Sequence, residues 1–317
     1  NRSGVKDVAR WYTGSGIYRH AWLQVTNPVH VATYGTYVTT PSVSEDKAEI
    51  RIMTTLENEL KKVQTVSISH LILDNQGKIV AKSGTEKTLF EAGQSIKITQ
   101  NLTLNYPRLW TLEKPELYTL ETTVKANGKV TDLYKTPFGI RTIAFDSEKG
   151  FLLNGKQVKL KGMCLHQDAG SLGTAVLDRS YERRLEIIKE YGCNAIRCSH
   201  NQPSPEFLDM CDRMGFVVID EAFDKWKSGY YEKYFDEWWQ RDLENMILRD
   251  RNHPSIILWS IGNEVNEQSR TGGGKVAKFL QDICHREDPT RPVTVGMDRP
   301  DHAMKNQFAA VLDVPGL

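Results

Sequence analysis

The stretch Ile256-Ile257-Leu258-Trp259-Ser260-Ile261-Gly262-Asn263-Glu264 decides the fold of the second half of the chain. It is a short apolar run, rich in β-branched residues, that ends abruptly in an amide and a carboxyl side chain. Such a run predicts a strand buried on both faces of a parallel sheet. In a barrel of alternating strands and helices, the active site lies at the carboxyl ends of the strands. Glu264 is therefore a candidate proton donor, and Asn263 is a candidate ligand for a substrate hydroxyl.

The sequence on either side of this stretch alternates between short apolar runs and helical patterns. Strands are predicted at residues 158–165, 194–199, 216–220, 255–261, 292–295 and 308–313. Helices are predicted between them at residues 180–191, 205–214, 235–251 and 275–286. The second helix has the clearest ends, because Ser204 suits the cap, Pro205 the first turn and Gly215 a left-handed end. This alternation predicts βα units and a parallel sheet.

The number of predicted strands falls short of a closed barrel. A (β/α)8 barrel has eight strands and about 250 residues, whereas about six strands are predicted here. We therefore predict an incomplete (β/α)8 TIM barrel over residues 144–317. We expect either that the chain is part of a longer polypeptide or that another segment completes the barrel.

Residues 30–143 have a different period, since polar and apolar residues alternate along short segments. In residues 47–56, for example, Ala48, Ile50 and Ile52 fall on one face. The dipeptide Asn127-Gly128 between two such segments is the sharpest hairpin signal. Several short strands separated by turns predict an antiparallel, immunoglobulin-like β-sandwich. The chain is thus predicted to be multidomain.

The bulk composition excludes several classes of protein. Of the 317 residues, 39% are hydrophobic and 26% charged, and 41 Lys and Arg nearly balance 40 Asp and Glu. This balance does not favour nucleic acid or an anionic membrane as a partner. No apolar run reaches the roughly 20 residues of a transmembrane helix, so we expect a soluble protein. The five Cys residues form no Cys-x-x-Cys pair, which favours buried free thiols over a zinc site.

Polar and ionisable residues lie at the ends of consecutive predicted strands. Because the carboxyl ends of parallel barrel strands share one face, we expect these side chains to form one site. They are His166, Gln167 and Asp168 at the first strand, Arg197, His200 and Asn201 at the second, Asp220 and Glu221 at the third, Asn263 and Glu264 at the fourth, and Asp298 after the fifth.

These residue types suit the hydrolysis of glycosides. A retaining glycosidase uses two carboxyl groups about 5–5.5 Å apart, one as acid/base and one as nucleophile. Glu264 is the best candidate for the acid/base, although it could instead cap the next helix or pair with an arginine. His166 and His200 are candidate ligands for sugar hydroxyls, with purely structural hydrogen bonding as the alternative.

Other residues near the strand ends leave alternatives open. Arg197 either orients a carboxylate or buttresses the barrel. Asp220 or Glu221 could be a second catalytic carboxyl group, but we favour one as a support of the site and the other as the partner of Arg197. Trp259 is expected to pack in the core. The aromatic residues of the loop after the third strand are candidates for the rim of a pocket: Trp226, Tyr230 and Tyr231.

Five motifs occur along the chain in a specific order. They are residues 10–19, which end in Gly16-Ile17-Tyr18-Arg19, then Pro137-Phe138-Gly139-Ile140-Arg141, Ala195-Ile196-Arg197-Cys198-Ser199-His200-Asn201, Val218-Ile219-Asp220-Glu221-Ala222, and residues 251–264, which end in Ser260-Ile261-Gly262-Asn263-Glu264. Together they resemble glycoside hydrolase family 2, the family of β-galactosidases, β-glucuronidases and β-mannosidases. The resemblance covers essentially the whole chain.

The resemblance implies a sandwich followed by a barrel, and a retaining, exo-acting β-glycosidase. By motif position it makes Glu264 the general acid/base and Asn263 a contact of the sugar 2-hydroxyl. It also implies that residues 1–29 are the remnant of an N-terminal sugar-binding jelly roll with its linker, before a sandwich over residues 30–143. The family's nucleophile, a Glu on a later strand, would lie beyond Leu317. The candidate substrate-binding residues are Asn263, His166, Asp168, His200, Asn201, Asp220 and Arg197.

The expected substrate is a terminal β-D-galactoside, because His166-Gln167-Asp168-Ala169-Gly170 with Leu172-Gly173 is most similar to bacterial β-galactosidases. A β-glucuronidase or β-mannosidase of the same family, or a non-catalytic sugar-binding fragment, is the alternative. Without the nucleophile, these residues alone are expected to be inactive.

No cofactor is expected to be required. Some β-galactosidases of the family hold a divalent ion through an acidic residue and a His after the third strand, but Ala222-Phe223-Asp224-Lys225-Trp226 contains no His. A Mg²⁺ or Na⁺ ion is therefore not supported by the sequence. The opening Asn1-Arg2-Ser3 and the lack of a signal-peptide core indicate a processed or trimmed product. Whether it forms a homo-oligomer, and whether it is periplasmic or secreted in a bacterium, are left open.

Overall fold

The strands and helices of the chain divide between two units. A computed structural model describes residues 17–84, 86–229 and 231–316. Trp22–Gln157 and Asn252–Pro254 form one unit, called here the sandwich unit. Val158–Arg251 and the residues from Ser255 onward form the other, the α/β unit, together with the described residues that precede Trp22.

The sandwich unit consists of antiparallel sheets. Its strands are β1 Val29–Val43, β2 Lys47–Asn58, β3 Gln64–Leu73, β4 Ile79–Lys82, β5 Glu86–Phe90, β6 Ser95–Asn105, β7 Tyr118–Ala126, β8 Lys129–Phe138, β9 Ile143–Asp146, β10 Gly150–Leu153 and β11 Lys156–Gln157. One sheet has the order β1-β2-β6, and a second has the order β4-β3-β7-β8 with β5 also paired to β3. A small third sheet has the order β11-β10-β9.

Alternation of side chains along the strands builds the core of the sandwich unit. Successive side chains of a strand point to opposite faces, so every second residue can be buried. Ile50 and Ile52 of β2 are buried in this way and join the same cluster as Ile72 of β3 and Leu120 of β7, which lie in the other sheet. Apolar residues of the two sheets therefore share one core, as the alternating pattern predicts.

The predicted hairpin at Asn127-Gly128 is confirmed. These two residues join β7 to β8, with Ala126 paired to Lys129. Their φ angles are 49° and 84°, and a two-residue turn with both φ values positive is the kind that Asn and Gly tolerate best.

The α/β unit is built on a five-stranded sheet. Its strands are β12 Gly162–Leu165, β13 Ala195–Cys198, β14 Val217–Glu221, β15 Ile256–Asn263 and β16 Val293–Gly296. Its helices are α1 Asp178–Glu190, α2 Pro205–Met214, α3 Glu232–Asp250, α4 Gly274–Glu287 and α5 Pro300–Lys305. The strands are parallel and adjacent in sequence order, with one helix between each pair. This is the strand–helix alternation of a barrel, and it brings the strands' carboxyl ends to one face.

Local sequence explains the best-predicted elements. All eight residues of β15 are buried, as expected for a strand covered on both faces. At α2, the Ser204 hydroxyl accepts a hydrogen bond from the Phe207 N–H at 3.3 Å, and Gly215 ends the helix with φ 71°. Both ends of α2 are thus stabilised by the residues that the sequence predicts.

The sixth predicted strand is wrong. Residues 308–313 contain a 3-10 helix at Ala309–Val311, and among the described residues after β16 a parallel bridge joins Gly316 to Gly296. Phe308 and Leu312 are buried and lie four residues apart, which is helical spacing rather than the alternation of a strand. The described part of the barrel therefore has five parallel strands instead of six.

The described helices differ from membrane-spanning segments in length or in apolar character. None of them is both long and apolar enough to cross a membrane.

His70 gives the sandwich unit a testable dependence on pH. Its side chain is 1% exposed, and its Nδ1 lies 3.0 Å from the hydroxyl of Thr122 on the neighbouring strand. Burial lowers the pKa of His70 from 6.5 to about 4. The unfolded state therefore binds more protons than the folded state between these two values, and stability is lost as the pH falls from 6.5 towards 4. The full difference is on the order of 3 kcal/mol.

We predict that the free energy of unfolding falls on acidification through this range, and that His70→Gln makes the fall smaller. Urea denaturation at pH 7 and pH 4.5 measures both. A His70 ring that titrates near 6.5 by NMR in the folded chain would contradict the prediction.

Candidate active site

The carboxyl ends of β13, β14 and β15 meet at one buried carboxylate. Glu221, the last residue of β14, is fully buried. Its Oε2 accepts hydrogen bonds from Arg197 Nε at 3.0 Å and Nη2 at 2.7 Å, and from Ser260 Oγ at 2.6 Å. Its Oε1 lies 2.6 Å from His200 Nδ1. Buried charges are stable only when paired and hydrogen-bonded in this way.

Arg197 extends this network to Asn263. Its Nη2 also donates to Asn263 Oδ1 at 2.8 Å, so the guanidinium joins the ends of three neighbouring strands. Gly296 is needed beside it, because a Cβ on that residue would lie 2.3 Å from Arg197 Nη2. Glu221 is thus the carboxyl partner of Arg197, and Asn263 is its amide partner.

Asp220 was predicted among the substrate contacts and lies beside Glu221 in β14. Its side chain is fully buried. Because neighbouring strand residues point to opposite faces, Asp220 and Glu221 have different surroundings. Burial raises the pKa of the Cys198 thiol most, and the charge of Asp220 raises it further.

Glu264 has the opposite environment to Glu221. Its side chain is 41% exposed, whereas that of Glu221 is fully buried. Glu264 follows the end of β15 with φ 49°, a left-handed conformation that is uncommon for residues other than glycine. Two backbone hydrogen bonds stabilise this turn. The Glu264 N–H donates to Gly296 O at 2.7 Å, and the Asn263 N–H donates to Asp224 O at 2.8 Å.

The two tryptophans near this turn are both buried. Trp259 packs in the core as expected, and its indole N–H donates to Asp288 at 3.0 Å. Trp226 does not line a rim, which corrects that expectation. It is fully buried, its N–H donates to Ile261 O at 2.6 Å, and a Cβ on Gly262 would lie 2.8 Å from that nitrogen. The indole fills the space that a side chain at Gly262 would need.

Tyr230 and Tyr231 are the other two aromatic residues expected at the rim. Tyr231 is partly buried and stacks on Phe223 at 5.1 Å between ring centroids. Tyr230 lies outside the described residues.

Two residues of the loop after β14 were missed as site residues. Asp224 Oδ1 accepts from Asn263 Nδ2 at 3.0 Å and from Lys225 Nζ at 2.9 Å. Lys225 Nζ also donates to Asn263 O at 3.0 Å and lies 3.4 Å from Glu264 Oε2. In the sequence this loop was considered only for metal ligands, and no periodic pattern pointed to Asp224 or Lys225, because they lie outside any strand or helix.

His166 and His200 lie side by side at the ends of β12 and β13. Their ring centroids are 5.4 Å apart with an edge-to-face arrangement, and His166 Nδ1 lies 3.0 Å from Ser199 O. Burial, followed by the charge of His200, lowers the pKa of His166, which favours a neutral ring that can both donate and accept. The backbone of the partly buried Asp168 accepts from Arg184.

Gln167 connects this part of the site to the start of the described chain. Its Oε1 accepts from Asn201 Nδ2 at 2.7 Å, Tyr18 OH at 3.1 Å and Arg19 Nη2 at 3.1 Å. Arg19 Nη2 also donates to Gln202 O at 2.8 Å. Tyr18 and Arg19 therefore hold two strand ends, a role that the sequence analysis did not foresee.

Comparison with known proteins identifies the family. Residues 145–313 match glycosyl hydrolases family 2, TIM barrel domain, and residues 29–141 match glycosyl hydrolases family 2. The chain belongs to glycosyl hydrolase family 2. The resemblance found in the sequence is thereby confirmed.

Individual members of glycosyl hydrolase family 2 are similar to most of this chain. A β-galactosidase of Bacteroides ovatus is 46% identical over 97% of the chain, and a β-glucuronidase of Bacteroides fragilis is 32% identical over 88%. A crystal structure of a family 2 member from Bacteroides cellulosilyticus superposes with a TM-score of 0.92 and 43% identity over 96% of the chain. The chain spans 40%, 41% and 40% of the length of these three proteins.

The residues beside Glu264 do not fit a divalent cation. The ammonium of Lys225 contacts Asp224 and Glu264, so the carboxylates that an ion would need already have a cation beside them. Within the described residues, a His and two carboxylates come together elsewhere, in the sandwich unit: atoms of His30, Glu57 and Glu59 lie within 4.8 Å of one another.

We predict that Arg197→Met destabilises the α/β unit, because it leaves the buried carboxylate of Glu221 without its cation. Removing one partner of a buried ion pair costs about 3–5 kcal/mol. The second change in Arg197→Met/Glu221→Gln should recover part of the loss, since the uncompensated charge is gone.

Urea denaturation of the three chains measures these effects. Arg179→Met is the matched control, because Arg179 pairs with exposed carboxylates on α1, where such pairs are worth about 0–1 kcal/mol. A loss for Arg197→Met no larger than that of the control would refute the role of the pair.

Proposed function

We propose that this chain carries the acid/base part of the active site of a retaining β-glycosidase, with Glu264 as the general acid/base. The observation that supports this most is the contrast among three carboxyl groups at neighbouring strand ends. Asp220 and Glu221 are fully buried, and both oxygens of Glu221 are hydrogen-bonded. Glu264 alone of the three is open to solvent and can exchange a proton with a substrate.

The proposed role of Glu264 has two steps. In the first, its carboxyl group gives a proton to the glycosidic oxygen as the C1–O bond breaks and its electron pair passes to that oxygen. A second carboxylate forms the new bond to C1. In the next step Glu264 takes a proton from the water that attacks C1, and the second carboxylate leaves.

The second carboxylate is not expected to be Glu221, because its side chain is fully buried and both of its oxygens are hydrogen-bonded to protein partners. We propose instead a Glu on a later strand of a complete family 2 barrel, as the sequence resemblance implies.

The surrounding polar residues are proposed to bind the sugar. Asn263 is held by Arg197 and Asp224 at a fixed orientation beside Glu264, which suits recognition of one hydroxyl. His166, His200, Asp168 and Asn201 are the other proposed contacts. Arg197 is proposed both to contact the sugar and to orient Asn263 and Glu221 by its hydrogen bonds to them.

The proposed substrate is a terminal β-D-galactoside. The support for it is the name of the Bacteroides ovatus relative at 46% identity together with the sequence after the first barrel strand. A β-glucuronide is the second candidate, because a relative named β-glucuronidase is also similar over most of the chain.

Glu264→Gln tests the acid/base, in a polypeptide that contains these residues and spans the length of the relatives. We predict that kcat/KM for an alkyl β-glycoside falls by about 10²–10⁴-fold, because the proton donor is lost. The loss should be much smaller for a dinitrophenyl glycoside in the glycosylation step, since that leaving group needs no proton. Azide should restore turnover of the activated substrate.

The matched control is Glu237→Gln, on an exposed part of α3, which should leave both rates unchanged. Equal losses for the two substrates of Glu264→Gln, with no effect of azide, would exclude Glu264 as the acid/base.

A panel of 4-nitrophenyl glycosides tests the sugar in the same polypeptide. We predict that kcat/KM is highest for the β-galactoside among the β-galactoside, β-glucuronide and β-mannoside. A higher value for the β-glucuronide would replace the proposed substrate but leave the proposed role of Glu264 intact.

A further inference from the structure

Lys225 is the only lysine that the described structure places against the Asn263–Glu264 pair. It lies in the loop that follows β14, and its side chain is 25% exposed. Its ammonium is within 3.4 Å of three oxygens: Asp224 Oδ1 at 2.9 Å, Asn263 O at 3.0 Å and Glu264 Oε2 at 3.4 Å. An ammonium has three N–H donors, so this set of oxygens uses its full capacity.

The three contacts have different physical consequences. The hydrogen bond to Asn263 O holds the backbone immediately before Glu264, in the turn where Glu264 has a φ of 49°. Asp224 links Lys225 to the Asn263 side chain, because its carboxylate accepts a hydrogen bond from each of them. The contact with Glu264 places a positive charge beside the group that changes its charge during proton transfer.

We infer that Lys225 is a positioning residue for the acid/base: its ammonium orients the Glu264 carboxyl group and stabilises the negative charge left there once its proton has passed to the leaving oxygen. A partly buried opposite charge at this distance is screened less than one in bulk water. The inference rests on the proposed function of Glu264.

A purely structural role for Lys225 would use the same hydrogen bonds to Asp224 and Asn263. The two roles differ in one respect: the effect of removing a purely structural lysine would not depend on the charge of Glu264. The two roles are therefore separated by removing that charge and asking whether Lys225 still matters.

The experiment is a double-mutant cycle of Lys225→Met and Glu264→Gln, in a polypeptide that contains these residues and spans the length of the relatives. Met keeps an unbranched stem of similar length without the charge. With an alkyl β-glycoside as substrate, we expect Lys225→Met to lower kcat/KM by about 10- to 100-fold, as a misplaced reacting group does. In the Glu264→Gln background the same change should lower kcat/KM by less than about 3-fold, because the charge that Lys225 stabilises is absent.

Two further variants complete the experiment. Lys225→Arg keeps the positive charge and should restore at least part of the loss. Lys227→Met is the matched control, because Lys227 forms an ion pair with the exposed Asp236 and not with Asp224 or Glu264. This change should leave kcat/KM unchanged. Thermal melting of each variant checks folding, and Lys225→Gln replaces Lys225→Met if the latter does not fold.

The outcomes test the inference about Lys225 and the proposed function of Glu264 separately. An equal effect of Lys225→Met in both backgrounds, or no effect in either, would overturn the inference about Lys225. If Glu264→Gln itself shows no dependence on the leaving group, the proposed function fails instead. The inference would be supported if Lys225→Met lowers kcat/KM when Glu264 is present but not in the Glu264→Gln background, and if Lys225→Arg restores part of the loss.

Discussion

A single buried carboxylate holds the strand ends of the α/β unit in place. Glu221 accepts hydrogen bonds from Arg197 and Ser260 and lies 2.6 Å from His200 Nδ1, so β14 is joined to both of its neighbours. An unpaired carboxylate at this depth would cost several kcal/mol. The requirement that Glu221 be paired therefore determines where Arg197 lies, and Arg197 in turn determines the orientation of Asn263.

The exposed carboxyl group next to this network depends on packing as much as on hydrogen bonds. β15 is buried along its whole length, and the indole of Trp226 occupies the space beside Gly262. The chain then turns through the left-handed conformation of Glu264, which brings the side chain out of the core. A rigid strand and a turn with both N–H groups bonded provide the preorganisation that general acid catalysis requires.

Much of this arrangement could be predicted from local sequence, and the rest depends on distant contacts. The cap residues of α2, the Asn127-Gly128 turn and the burial of β15 each follow from the chemistry of a few neighbouring residues. The apolar run at residues 308–313 was too short for its period to distinguish strand from helix. Trp226 and Lys225 lie in a loop, where side-chain direction has no period, and their surroundings are formed by residues of β15 far along the chain.

The discontinuity of the α/β unit has a consequence for the order in which the protein folds. Tyr18 and Arg19 are separated from their partners Gln167 and Gln202 by 148–183 residues. All the sandwich strands lie between them in the sequence. Contacts between residues so distant in sequence form slowly, because the segment between them must be closed first. The strand pairings of the sandwich join residues much closer in sequence than these partners and can form first, so we expect the contacts of Tyr18 and Arg19 with the strand ends to form late in folding.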